Sequence, residues 1–116
     1  MDSILELTKK KIGLAGEDSS FDDDIIVEIN AALAVAYQLG ALKEPFRIES
    51  DEETWDQLEA DNSVLSMLQS YVYIKAKLVF DPPSSSTILQ AYETRASELE
   101  WRMNAEIDPE EDTTDE

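Results

Sequence analysis

The run Tyr71-Val-Tyr-Ile-Lys-Ala-Lys-Leu-Val-Phe-Asp-Pro-Pro83 constrains the fold more than any other part of the chain. It reads as the last turns of a long helix that meets two consecutive prolines. Proline lacks the amide a further turn would need, and it drives the residue before it out of the α region. Phe80, Asp81, Pro82 and Pro83 therefore form a structural corner at which one helix must end. Ser84-Ser85-Ser86 follows, supplying turn and N-cap chemistry, and a second helical pattern starts at Ile88. The middle of the chain thus reads as two helices joined by a stiff bend.

Periodicity elsewhere extends this picture. A first helix is expected from Ser3 to Leu14, with Ser3 as cap, Glu6 three residues later as in a capping box, and Ile4, Leu5, Thr8 and Ile12 on one face. Lys9, Lys10 and Lys11 fall in its last turns, where positive charge complements the carbonyl end of the helix. A second helix is expected over Asp22 to Leu39. Asp22, Asp23 and Asp24 crowd its start as caps, Ile25, Ile26, Ile29, Ala32, Leu33, Ala36 and Tyr37 form its stripe, and Gly40 ends it. Residues 41–53 are irregular, with Pro45 to Ile48 read as a short extended piece, and Ser50 or Thr54 caps a short helix carrying Trp55 and Leu58. The third helix runs from Asn62 or Ser63 to Phe80 through Val64, Leu65, Leu68, Tyr71, Val72, Lys75, Leu78 and Val79. The fourth spans Ser85 to Ala105 through Ile88, Leu89, Tyr92, Ala96, Leu99 and Met103. The expected fold is all-α: a small antiparallel bundle of about four main helices plus a short one. It occupies residues 1–105, with an acidic, disordered tail over 106–116.

Charge is the outlying property. The chain of 116 residues carries 27 acidic and 9 basic side chains, a formal net charge of −18. Residues 106–116 hold seven acids and no base; without them, 20 acids against 9 bases still leave −11. Such a surface repels phosphate and disfavours nucleic-acid binding through backbone neutralisation. It serves solubility, and it can also steer a basic partner. No apolar run is long enough to span a membrane, and the first residues lack the basic-then-apolar pattern of a secretory signal, so a soluble, intracellular protein is expected.

Little catalytic chemistry is available. There is no cysteine and no histidine, so thiolate catalysis, zinc–sulfur sites and the commonest general base are excluded. Asp22–Asp24 could in principle supply hard oxygen ligands, but adjacent residues at a helix start do not converge on a cation, and capping is the better reading. There is no glycine-rich phosphate loop and no nucleophile elbow. Lys75 and Lys77 read as solvated or ion-paired. Trp55 reads as a staple between a short helix and the bundle, ahead of an interface role. Trp101 lies off the stripe of its helix, between Glu100 and Arg102, which is how an interface anchor is placed. The candidate interface residues are accordingly Trp101, Arg102 and Tyr73, together with Lys9, Lys10 and Lys11.

Several segments taken in order carry a family resemblance. They are Phe21-Asp-Asp-Asp-Ile-Ile26, Ile29-Asn-Ala-Ala-Leu33, Gln38-Leu-Gly40, Trp55, Tyr71-Val-Tyr-Ile-Lys75, Leu78-Val-Phe-Asp-Pro-Pro83 and Leu99-Glu-Trp-Arg102. With these, residues 3–105 resemble the head–tail connector (adaptor, or head-completion) proteins of long-tailed double-stranded DNA bacteriophages. The resemblance implies a non-enzymatic virion protein, made in the bacterial host cytoplasm, with no cofactor. It further implies a dodecameric ring of identical subunits docked under the portal protein. That ring extends the DNA channel, lets DNA pass without sequence-specific binding, and receives a stopper or tail-completion protein. Residues 106–116 extend beyond the matching pattern. The competing reading is a small acidic helical binding module, such as a DNA mimic that occupies the basic groove of another protein. An enzyme working through carboxylates and a metal ranks third.

Overall fold

The computed structural model describes residues 3–13, 20–58 and 60–115, with side chains as far as Asn104. Four α-helices and one short 3-10 helix follow in the order α1 (Ile4–Lys11), α2 (Asp22–Gln38), the 3-10 helix (Trp55–Gln57), α3 (Asn62–Phe80) and α4 (Ser86–Asp115). The all-helical expectation holds. Two bounds differ from the expected ones: α1 ends at Lys11 rather than Leu14, which lies outside the described residues, and α4, expected to end at Ala105, takes in residues 106–115 of the expected tail, whose side chains lie outside the described residues.

Each helix starts and stops for a local reason. Ser3 Oγ accepts the Glu6 amide at 2.9 Å and opens α1, while Thr8 returns its hydroxyl to the Ile4 carbonyl at 2.8 Å inside the core. Gly40, at φ +92°, closes α2. Its amide donates to Tyr37 O at 3.0 Å and the Ala41 amide to Ala36 O at 2.9 Å, the pair of bonds that defines a Schellman stop. Thr54 starts the 3-10 helix in a capping box with Gln57, whose Oε1 accepts the Thr54 amide at 3.2 Å. At the corner, Asp81 is the C-cap of α3 and its carboxylate pairs with Lys77 at 2.9 Å. Ser85 then leads into α4, its carbonyl accepting the Leu89 amide at 2.9 Å.

α3 is the organising helix. It packs against both α2 and α4, and α1 closes over α2 and α3. The core joins Ile4, Leu5 and Ile12 from the α1 region, Ile25, Ile29, Leu33 and Ala36 from α2, Leu68, Tyr71, Val72 and Ala76 from α3, and Ala96, Leu99 and Met103 from α4. Residues 45–48 form no regular element, yet Ile48 is fully buried. A single side chain holds it there: Asn30 Oδ1 accepts the Ile48 amide at 2.8 Å, and Asn30 Nδ2 donates to the Ile48 carbonyl at 3.0 Å. The Ile4 amide donates to Glu53 O at 2.9 Å, tying the start of α1 to the same irregular stretch.

Three sequence expectations are corrected here. The aspartates do not cap α2: the N-cap is Phe21, without a side-chain cap bond, and Asp22, Asp23 and Asp24 occupy the first turn instead. There they still meet the positive end of the helix dipole. The stripes of α3 and α4 are not buried along their whole length. Val79 is 53% and Ile88 51% exposed, both close to the corner where α3 gives way to α4. Leu89 and Tyr92 are half-buried. Tyr37, assigned to the stripe of α2, is exposed, and Lys75 is half-buried with its ammonium 5.9 Å above the Tyr71 ring.

Candidate functional site

The side chains singled out in the sequence separate into two groups. Trp101 is 70% exposed on the side of α4 turned away from α3, the most exposed of the large apolar residues described. An indole left in water at that level forgoes most of the burial that normally stabilises it. Beside it, Arg102 is exposed and pairs with Glu98 at 3.3 Å, an i,i+4 contact on the same helix. Arg95 and Arg102 flank an open groove between α3 and α4 whose floor includes Ser66, Met67 and Ser70.

The second group gathers at α1, which forms no packed pair with α4. Tyr73 is half-buried and meets the indole of Trp55 edge-on, with 6.2 Å between ring centres and an interplanar angle of 89°. Lys11 Nζ sits 5.8 Å over the same Tyr73 ring. Burial pushes the Tyr73 phenol above its ordinary range. Trp55 is buried, as a staple would be, and its Nε1 finds no hydrogen-bond acceptor; the contact with Tyr73 is therefore a ring-edge contact rather than a hydrogen bond. Lys9 is turned inward at 3% exposure, and its ammonium reaches Asp22 Oδ1 at 2.9 Å. That contact is ionic in character, since Oδ1 does not meet hydrogen-bond angles. Of the three lysines, Lys10 and Lys11 present themselves to solvent.

Charge is unevenly placed. Residues 49–61 hold seven acids and no base, whereas α3 carries two lysines and no acid in 19 residues. Within the acidic stretch, Glu53 folds its carboxylate back onto the amides of Glu49 at 2.9 Å and Ser50 at 3.3 Å. Desolvation works to raise its pKa, but those amides outweigh it and hold the carboxyl below its ordinary 4.5. Among the described residues no cluster of acids is placed to hold a metal ion, and no helix is long and apolar enough to cross a membrane.

A surface that sequence reasoning missed lies at the C-terminal half of α2. Ala34, Tyr37, Pro45, Phe46 and Arg47 line a largely apolar groove of about 410 Å³. It escaped notice because Pro45 and Phe46 belong to a stretch without periodicity, and they lie beside α2 where Asn30 binds Ile48 and Phe46 packs on the core. Nothing in the residues described is arranged for bond-making chemistry. What the described residues do present is exposed apolar and basic surface at Trp101, Arg102, Lys10 and Lys11, and the groove on α2.

Comparison with known proteins agrees. The family model described as "Phage connector protein" matches residues 4–110. No curated protein and no solved structure matches the chain.

Proposed function

The chain belongs to the phage connector protein family, structural virion proteins of the junction between phage head and tail, and on that premise we propose that it forms a homo-oligomeric ring there. In this reading the ring docks under the portal protein, extends the channel through which DNA passes, and receives the stopper or tail-completion protein on its other side. The observation that carries the proposal is the family match over nearly the whole folded chain. The distribution of surfaces supports it. A subunit of a closed ring presents two different faces to its neighbours, and here α2 and α4 each leave an uncovered side while both pack on α3. Trp101 and Arg102 are the anchor side chains of the α4 side; Lys10 and Lys11 serve a third surface, toward the portal or the stopper.

The acidic balance fits passage of DNA without retention, because like charge repels phosphate and gives no counterion release on contact. A DNA mimic has less support. Its acids would have to follow a phosphate-like track, whereas here half of the 20 acids outside residues 106–116 fall at 49–61 and in the first turn of α2, and α3 has none.

The deciding experiment uses DNA-filled heads that carry portals but lack this protein. Purified chain added to them is expected to give a ring of extra density at the portal vertex in electron micrographs, and to make the heads competent to accept tails. Heads that bind no chain and gain no competence would overturn the proposal.

A further inference from the structure

Resting on that ring reading, we infer that each subunit contacts the next through α4 of one copy laid along α2 of its neighbour, with Trp101 seated in the neighbour's apolar groove beside Ala34. The outward sides of the two helices match. α2 exposes Asp24, Val27, Ala31, Ala34 and Gln38; α4 exposes Ala91, Thr94, Glu98 and Trp101. Both sets advance in the same alternation of four- and three-residue steps, the spacing at which one helix presents a seam to another. The sides are small or apolar at most of these positions, which lets two backbones approach closely. Besides Trp101 the long side chains on these faces are Gln38, at the end of α2, and Glu98, which is drawn to Arg102 on its own helix.

Register follows from the single large residue. When the helices run parallel with Trp101 beside Ala34, Thr94 comes level with Val27, which is 61% exposed, and Ala91 with Asp24. The same register sets Arg95 across the seam from Asp23, the flank that follows the seam on α4 meeting the flank that precedes it on α2. Neither of these has an ion-pair partner within the chain among the described residues, so each is available to the other. The indole enters the groove between Tyr37, Pro45 and Phe46, with Arg47 at its margin. Arginine over an indole face adds to the burial of the ring. An antiparallel arrangement with the same anchor sets Arg95 level with Gly40, past the last residue of α2, and leaves it unmatched. Because the two surfaces differ, the contact is head-to-tail and propagates around a ring.

The chain has no cysteine, which makes cross-linking direct. Val27→Cys combined with Thr94→Cys in one full-length chain, treated with a short bis-maleimide, is expected to give a ladder of covalent oligomers. Each single-cysteine variant alone should stay monomeric on a denaturing gel. Arg95→Glu in the doubly substituted chain should suppress the ladder and Asp23→Arg should restore it. Trp101→Ala should weaken self-association about tenfold or more, as hot-spot residues do, at unchanged helicity. Rings seen by electron microscopy without the 27–94 ladder would overturn this interface while leaving the ring intact. Dimers from Thr94→Cys alone would replace it by a symmetric α4–α4 contact. A chain that neither cross-links nor forms rings, free or on portal-bearing heads, would overturn both the interface and the ring.

Discussion

Tyr71 on α3 donates its phenol hydrogen to Glu100 Oε2 on α4 at 2.6 Å, one polar bond stitching together two helices that otherwise meet through apolar contacts. Burial, reinforced by the hydrogen bond to Glu100 and by its negative charge, pushes the phenol well above its ordinary value of 10. The folded state therefore favours the protonated phenol more than the unfolded state does. The resulting stability is fully present below pH 10 and is lost as pH rises above it. Tyr71→Phe should lower stability at neutral pH by about 1–2 kcal/mol, a bond to a charged but solvent-accessible partner. It should also flatten the fall in melting temperature between pH 9.5 and pH 11 that the unaltered chain shows, leaving the smaller contribution of Tyr73. A variant with the same alkaline profile as the parent would show that another group governs it.

Asn30 does for Ile48 what a neighbouring strand would do, satisfying its amide and carbonyl together. Asn30→Asp keeps the acceptor and loses the donor; Asn30→Ala loses both and orphans two backbone groups beside a buried side chain. The expected order of stability in urea denaturation is parent, Asp variant, Ala variant, with the last down by about 2–4 kcal/mol. Since this clamp helps to place Pro45 and Phe46, Asn30→Ala should also weaken any binding at the α2 groove.

Three adjacent aspartates begin α2, but Asp22 alone has a buried ammonium against it. Asp22→Asn should cost about 2–3 kcal/mol, less than the loss of a fully buried pair because this carboxylate keeps partial access to water. Asp23→Asn and Asp24→Asn remove exposed charges near a helix dipole and should cost under about 1 kcal/mol each. Thermal melts of the three variants side by side test the ordering.

The two tryptophans should separate cleanly. Trp55 is 2% exposed and Trp101 70% exposed. Trp55→Ala should destabilise the subunit by about 3–5 kcal/mol through the cavity it leaves. Trp101→Ala should leave subunit stability within about 0.5 kcal/mol of the parent, whatever it does to assembly. Fluorescence gives an independent check, because the emission that Trp101→Phe removes should be the red-shifted, quencher-accessible component.

Glu53 gives the fold an acid-side dependence. Its carboxyl is held below 4.5 in the folded state, so its contribution is present above that pH and disappears as pH falls through the lower folded value. Glu53→Gln should reduce the melting temperature at pH 7, and the gap to the parent should narrow steadily as pH is taken below 4.5. Equal melting temperatures across that range would mean the turn at 49–53 holds without its carboxylate.

Local chemistry made much of this protein readable before its fold. The prolines at 82 and 83 allow no continuation of α3, and its bounds, Asn62–Phe80, are those the sequence pattern indicates. Gly40 ends α2 by adopting a left-handed conformation that other residues avoid, and Ser3 and Thr54 carry the oxygens that caps require. These features act within four or five residues, so they are legible in a linear chain. What only the tertiary structure decided is how far each partner reaches. Ile88 and Met103 belong to one apolar stripe, yet Met103 is buried and Ile88 half in water. Lys9 and Lys10 are neighbours in one basic run, but Lys9 faces Asp22 from across the loop and Lys10 faces solvent. The groove at Ala34 is completed by Pro45 and Phe46, which lie against α2 where Asn30 binds Ile48 and Phe46 packs on the core. Periodicity specifies the angle at which a side chain leaves its helix; only packing specifies whether anything stands there to meet it.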